Sequence, residues 1–183
     1  QKRPSPLGSA ARLGDVDRAL LNPPRSTEQV IHPLKYWSPE HLDEPRALTV
    51  DVGDLPEQVS LLHESTLGEL HAAMVTTPYD ERGGLDVSFG GVLGLRFTNT
   101  AATGWGGDRY ALLAAGDSRL LIWATRWDTV QDADEFAAAL SDVSGGIKEA
   151  KAHAPAHDSE LSGIRITRRD GDGVEVISWT GMS

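Results

Sequence analysis

Two strand-turn-strand patterns separated by one helical stretch constrain this chain more than any other feature. Asp108 to Ala114 and Arg119 to Trp127 can alternate their side chains between two faces, and they flank Ala115-Gly116-Asp117-Ser118, where glycine supplies the positive φ of a tight reversal. Ile164 to Arg168 and Val174 to Trp179 repeat the pattern around Arg169-Asp170-Gly171-Asp172-Gly173, and Asp-Gly between alternating runs is the strongest short hairpin signal in the sequence. Between the two lies a helix, which Thr129 or Asp128 can cap. Its apolar residues Ala133, Phe136, Ala137 and Leu140 recur at three and four, and Asp132, Asp134 and Glu135 place negative charge at the positive end of its dipole. Gly145-Gly146 is expected to end it. The expected class is α+β: an antiparallel sheet in the order hairpin, helix, hairpin, with the helix packed across it.

An irregular, proline-rich N-terminal arm precedes this core, and the expected divisions are a flexible segment 1–13, a helical and irregular arm 14–56 and an α+β core domain 57–183. Val16, Ala19 and Leu20 share one face of a short helix over Gly14–Leu21, which Asn22-Pro23-Pro24 ends. Ser26-Thr27-Glu28-Gln29 forms a capping box for a helix kept brief by Pro33. Prolines then space the chain to Pro45, with Tyr36 and Trp37 as anchors. Leu48 to Val52 reads as a strand, and Gln58 to His63 as a second extended piece. Thr66-Leu67-Gly68-Glu69 is another capping box, opening a helix with Leu67, Leu70 and Met74 on one side and closing at Thr77-Pro78. Tyr79 to Asn99 reads as a glycine-rich loop with an irregular apolar segment, and Lys148 to Ser159 as a polar connection.

At 183 residues and 39% hydrophobic, with five tryptophans, the chain is long and apolar enough to bury a core. Its net charge of −10 opposes a nucleic-acid partner, because that affinity rests on clustered Lys and Arg; the one dense basic run, Arg165 with Arg168-Arg169, reads as a solvated strand end. With no cysteine there is neither a disulfide framework nor a thiolate metal site. No apolar run approaches the roughly 20 residues of a membrane helix. The start, Gln1-Lys2-Arg3-Pro4-Ser5-Pro6, lacks an initiator methionine and reads as an end left after removal of a targeting segment, with room for a lipid anchor upstream.

Candidate chemistry is sparse. His63-Glu64 begins like the zinc-protease helix motif, but its second histidine would fall where Leu67 stands, and His71 is too far along for a same-turn pair. His153 and His157 are separated by Pro155, which argues against a shared helical face. No nucleophile elbow occurs. Gly104-Trp105-Gly106-Gly107 fits neither phosphate-loop pattern, and Asp108 follows where a lysine would help; the glycines read instead as backbone space for Trp105 to fold over the sheet. Asp108 and Arg109 are expected to pair near the helix start, with Arg126 or Asp132. Trp123 and Trp127 share a strand face with Leu121 and Thr125, opposite Leu120, Ile122 and Ala124, so both faces are apolar and the strand is either central or turned to a partner. The candidate binding residues are therefore Trp105, Asp108, Arg109, Trp123 and Trp127; no catalytic residue, metal ligand or cofactor is assigned.

Several of these stretches together resemble a known family. Pro23-Pro24-Arg25-Ser26-Thr27-Glu28-Gln29-Val30-Ile31-His32-Pro33-Leu34-Lys35-Tyr36, Thr66-Leu67-Gly68-Glu69, Gly104-Trp105-Gly106-Gly107-Asp108-Arg109-Tyr110, Trp127-Asp128-Thr129 and Asp132-Ala133-Asp134-Glu135-Phe136 stand in the order found in the C-terminal half of an exported, zinc-metallopeptidase-like family of bacteria and haloarchaea. In that family the upstream half carries His-Glu-x-x-His, which this chain lacks, so no zinc ligand carries over. The resemblance implies an extracytoplasmic place, in the periplasm, cell envelope or secreted, and a non-catalytic role in binding a protein partner or completing a peptidase-like assembly. The alternatives are a metal-assisted hydrolase using His32, His63 or His71 with Glu64 or Glu69, and a carbohydrate-binding module on exposed tryptophans.

Overall fold

A computed structural model describes residues 9–78, 97–152, 163–169 and 171–180. The chain divides into two compact units, Gln1–Glu44 and Pro45–Ser183. The Tyr79–Asn99 segment up to residue 96, the pair His153 and His157, and the first eight residues lie outside the described residues.

The first unit holds three helices, α1 (Ser9–Leu21), α2 (Thr27–Ile31) and α3 (Leu34–Trp37). α1 begins earlier than expected, and its anticipated apolar face is not buried: Val16 is 53% exposed and Leu20 76%. The Ser26 cap forms as predicted, its hydroxyl accepting from the Gln29 amide at 3.1 Å. The reciprocal arm reaches one residue further back, because Gln29 Oε1 accepts from the Arg25 amide at 2.8 Å while its Nε2 donates to the Asp43 carbonyl at 2.6 Å. Tyr36 anchors the unit by donating to the Asn22 carbonyl at 2.5 Å, and Arg18 lies 5.1 Å from the Trp37 ring centroid. Lys35 Nζ pairs with Oε1 of the buried Glu28 at 2.5 Å and with Asp43 at 2.7 Å.

In the second unit, β1 (Ser60–Ser65), β2 (Trp105–Ala115), β3 (Ser118–Trp127), β4 (Gly163–Arg169) and β5 (Gly173–Thr180) form one five-stranded antiparallel sheet in the order β1-β2-β3-β5-β4. Both predicted hairpins are present, β2–β3 turning at Gly116 with φ 58° and β4–β5 at Gly171 with φ 62°. α4 (Gly68–Thr76) and α5 (Val130–Ala152) join one face of the sheet, where Trp123, Trp127, Val174 and Val176 meet Phe136, Leu140 and Ala133 with Ala72 and Ala73. Phe136 stands edge-on to Trp123 at 5.5 Å and tilted against Trp127 at 4.6 Å. The class is thus the α+β arrangement expected, a sheet with helices packed against it.

Four local expectations are corrected. Gly145-Gly146 does not stop α5, which runs to Ala152; a helical glycine costs only about 1 kcal/mol against alanine, and the preceding turns are anchored by Phe136 and Leu140. Leu48–Val52 is not a strand. It has no ladder partner among the described residues, and the stretch just before it presses instead against the backbone of Gly106 and Gly107. The buried face of α4 is Glu69, Ala72, Ala73 and Thr76, with Met74 57% exposed, because the first turn is set by a partner distant in sequence. Thr66 does not cap α4: its hydroxyl donates to the Asp108 carbonyl at 3.1 Å, and Glu69 accepts from Thr98 rather than reaching back.

Candidate functional site

The partner that sets α4 is Asp108, on β2. Its Oδ2 accepts from the Leu67 amide at 2.9 Å and from the Trp123 indole at 2.7 Å, and its Oδ1 accepts from the Gly68 amide at 2.9 Å. Asp108 therefore caps a helix from outside that helix, a carboxylate at the positive end of the dipole, and at 3% exposure it is sealed from solvent. The expected pairing of Asp108 and Arg109 with the α5 start is corrected. Arg109, one residue on, points to the opposite face and donates from Nε to Glu64 Oε1 at 2.7 Å. That hydrogen bond, with the Arg109 charge, outweighs desolvation and holds the Glu64 carboxyl below its ordinary pKa.

Trp105, Trp123 and Trp127 are packing groups. Trp105 and Trp127 are fully buried and Trp123 is 3% exposed, so a sugar platform on Trp123 and Trp127 is excluded in this structure. Trp127 donates from its indole to Thr125 Oγ1 at 2.9 Å, and Thr125 donates in turn to the Val174 carbonyl at 3.2 Å. Of the five predicted binding residues only Arg109 reaches solvent, and it does so as half of an ion pair.

The glycines around Trp105 are explained by close approaches. A Cβ on Gly107, whose φ is 156°, would meet the Arg46 carbonyl oxygen at 2.4 Å, and one on Gly104, φ 80°, would meet the Asp132 carboxyl at 2.6 Å. Residues Arg46 to Leu48 thus lie against the end of β2, fixed by the Arg46 amide donating to Gly106 O at 2.7 Å and by Arg46 Nη2 donating to Trp127 O at 2.5 Å. Arg46 Nη1 also pairs with Asp172, whose Oδ1 accepts from Arg126 Nη1 at 3.1 Å. Burial pushes the Asp172 carboxyl up, but hydrogen bonds and charge from Arg46, with a hydrogen bond from Arg126, outweigh it and leave the pKa lowered. Sequence reasoning missed Arg46 and Asp172; the adjacent Gly106-Gly107 was the available sign that another segment comes close.

Beside this knot a cleft of about 400 Å³ opens on the sheet face away from α5, lined among others by Leu48, Thr49, Ala124, Arg126, Arg169 and Glu175. Further along the same face, Leu120 and Ile122 of β3 stand in register with Trp179 and Ile177 of β5, all four half-buried. Trp179 lies over Gly163, whose added Cβ would come within 2.2 Å of the indole.

Among the described residues the histidines form no cluster. His63 Nδ1 lies 2.9 Å from the Tyr110 hydroxyl with the rings stacked, and His71 Nδ1 lies 2.7 Å from the Leu67 carbonyl. His63-Glu64 sits on strand β1, so the two side chains diverge. Among the described residues no group of three metal-ligating side chains forms around His32, His63 or His71.

Neither the curated proteins nor the solved structures contain a match for the chain. Residues 57–181, well over half of its length, match the family described as a domain of unknown function, DUF8575, and the chain belongs to that family.

Proposed function

We propose that this chain is a non-catalytic module of the cell envelope that binds a protein partner or completes a peptidase-like assembly, using the sheet face away from α5. The observation that carries the reading is the row Leu120, Ile122, Ile177 and Trp179, half-buried and contiguous through the β3–β5 register. An antiparallel sheet with helices on one face ordinarily turns polar residues to the other, so an apolar row within that second face is what an interface requires. The ionisable groups nearest the predicted site support the same reading, since Asp108 is occupied by a helix cap and Glu64 and Asp172 by arginines. The order of the peptidase-family motifs supports the extracytoplasmic setting.

Capture from a native envelope extract tests this. The wild-type chain should retain a defined protein, and a folded Leu120→Gln, Trp179→Gln variant should lose it; a folded wild-type chain that retains nothing defeats the proposal. Metal-assisted hydrolysis at His63 and Glu64 has less support, because a strand sends those side chains to opposite faces. Stoichiometric zinc that disappears in His63→Ala would restore it.

A further inference from the structure

The basic run Arg165, Arg168, Arg169 lies on β4, an edge of the sheet. Among the described residues β4 pairs with β5 alone, in unbroken register from Gly163↔Trp179 to Arg169↔Gly173. Its outer side therefore presents alternate backbone N–H and C=O groups without a ladder partner among the described residues. β1, the opposite edge, is interrupted by a register shift between Leu61 and His63, a device that discourages pairing; β4 has none.

Strand alternation divides the three arginines between two faces. Arg168 turns to the helix side, where Nε donates to Asp134 at 2.8 Å and Nη1 to the Gly173 carbonyl at 2.6 Å. Arg165 and Arg169 lie on the other face. Arg165 is exposed and makes no ion pair among the described residues, and Arg169, its side chain 55% exposed, pairs with Glu175 in a surface contact of the kind that exchanges readily. Gly173 stands in register with both Arg169 and Arg126, but Arg126 and Arg46 share Asp172 and Arg46 also reaches Asp128 at 3.5 Å, so among the described residues the uncompensated positive charge of this edge is that of Arg165. In a chain of net charge −10, an exposed arginine on an open strand edge is set against the overall sign.

We infer that β4 accepts an extended, acidic segment of a protein partner as an added strand, its alternate carboxylates meeting Arg165 and Arg169. Ladder hydrogen bonds position such a segment, and charge-assisted pairing with guanidinium groups selects it. A second copy of this chain is the poorer occupant, because β4 laid against β4 brings the two sets of arginines together. The inference rests on the protein-binding reading but concerns an edge rather than the apolar face, so the two fail separately.

The test titrates the full chain against a fluorescent peptide that alternates glutamate and valine, read by anisotropy. Saturable binding should weaken with added salt, be absent for a lysine–valine peptide, fall about tenfold in Arg165→Glu and persist in Arg119→Glu. A glutamate–valine peptide N-methylated on alternate amides should not bind. Equal binding of the methylated peptide would reduce the contact to loose electrostatics and overturn strand addition, as would absence of binding to the folded chain. A dimer dissolved by Arg165→Glu would assign the edge to a second copy and overturn the inference too. Should Arg165→Glu not fold, Arg165→Gln gives the same readout with a smaller loss. Envelope capture that survives while peptide binding fails removes this inference and leaves the broader reading intact.

Discussion

Asp108 receives hydrogen bonds from a loop amide, a helix amide and an indole, on elements far apart in sequence. Replacing it by alanine leaves those buried donors unpaired, and Asp108→Ala should lower stability by about 2–4 kcal/mol, read as a fall in the denaturant midpoint. Asp108→Asn, which keeps one acceptor oxygen, should lose less. Asp172 makes a prediction about acid. Its folded pKa is depressed, so the stability it contributes is present above its unfolded pKa, near 4, and drains away as pH falls through the folded value. Asp172→Asn should therefore be less stable than wild type at pH 7, with the gap narrowing as both are titrated into acid; a gap constant with pH would show that the carboxylate charge is not the source. Nothing in the sequence around Asp108 identifies its partners, since a cap is ordinarily sought within a few residues of the helix it serves. The sequence places it in the right stretch but assigns it the wrong task, pairing with Arg126 or Asp132.

Elements held together by neighbours in sequence were readable in advance, and those set by distant contacts were not. The two hairpins follow from Gly116 and Asp170-Gly171, and α5 from the spacing of Phe136 and Leu140 with Thr129 at its start, where Thr129 and Asp132 exchange hydrogen bonds of 2.7–3.1 Å. Leu48–Val52 alternates like a strand, yet pairs with no strand among the described residues. Alternation alone cannot report that. Glycines divide the same way. Gly145 lies within α5 with nothing within 4 Å of an added Cβ, so Gly145→Ala should stabilise by about 0.5–1 kcal/mol, measured by thermal or denaturant unfolding. Gly107→Ala should instead destabilise by about 2 kcal/mol or more, since the atom it would strike is the Arg46 backbone oxygen, which cannot swing aside. Equal effects at the two sites would refute the close approach.

At the scale of the molecule, the family match begins at residue 57 while the compact unit begins at Pro45. The difference includes Arg46, which joins Gly106, Trp127 and Asp172. A chain starting at Pro45 should therefore be more stable than one starting at Glu57, by about 1–3 kcal/mol in denaturant unfolding, although both contain the whole sheet. Arg46 finds its partners only after the chain has closed long loops to residues 106, 127 and 172, so entropy favours docking it after the two hairpins have formed. On a single pathway, what docks last is also the first to leave. The stretch between Pro45 and Ser60 thus acts as a latch on an already folded body, and a protease should nick it at a rate set by brief local opening, long before the sheet is attacked.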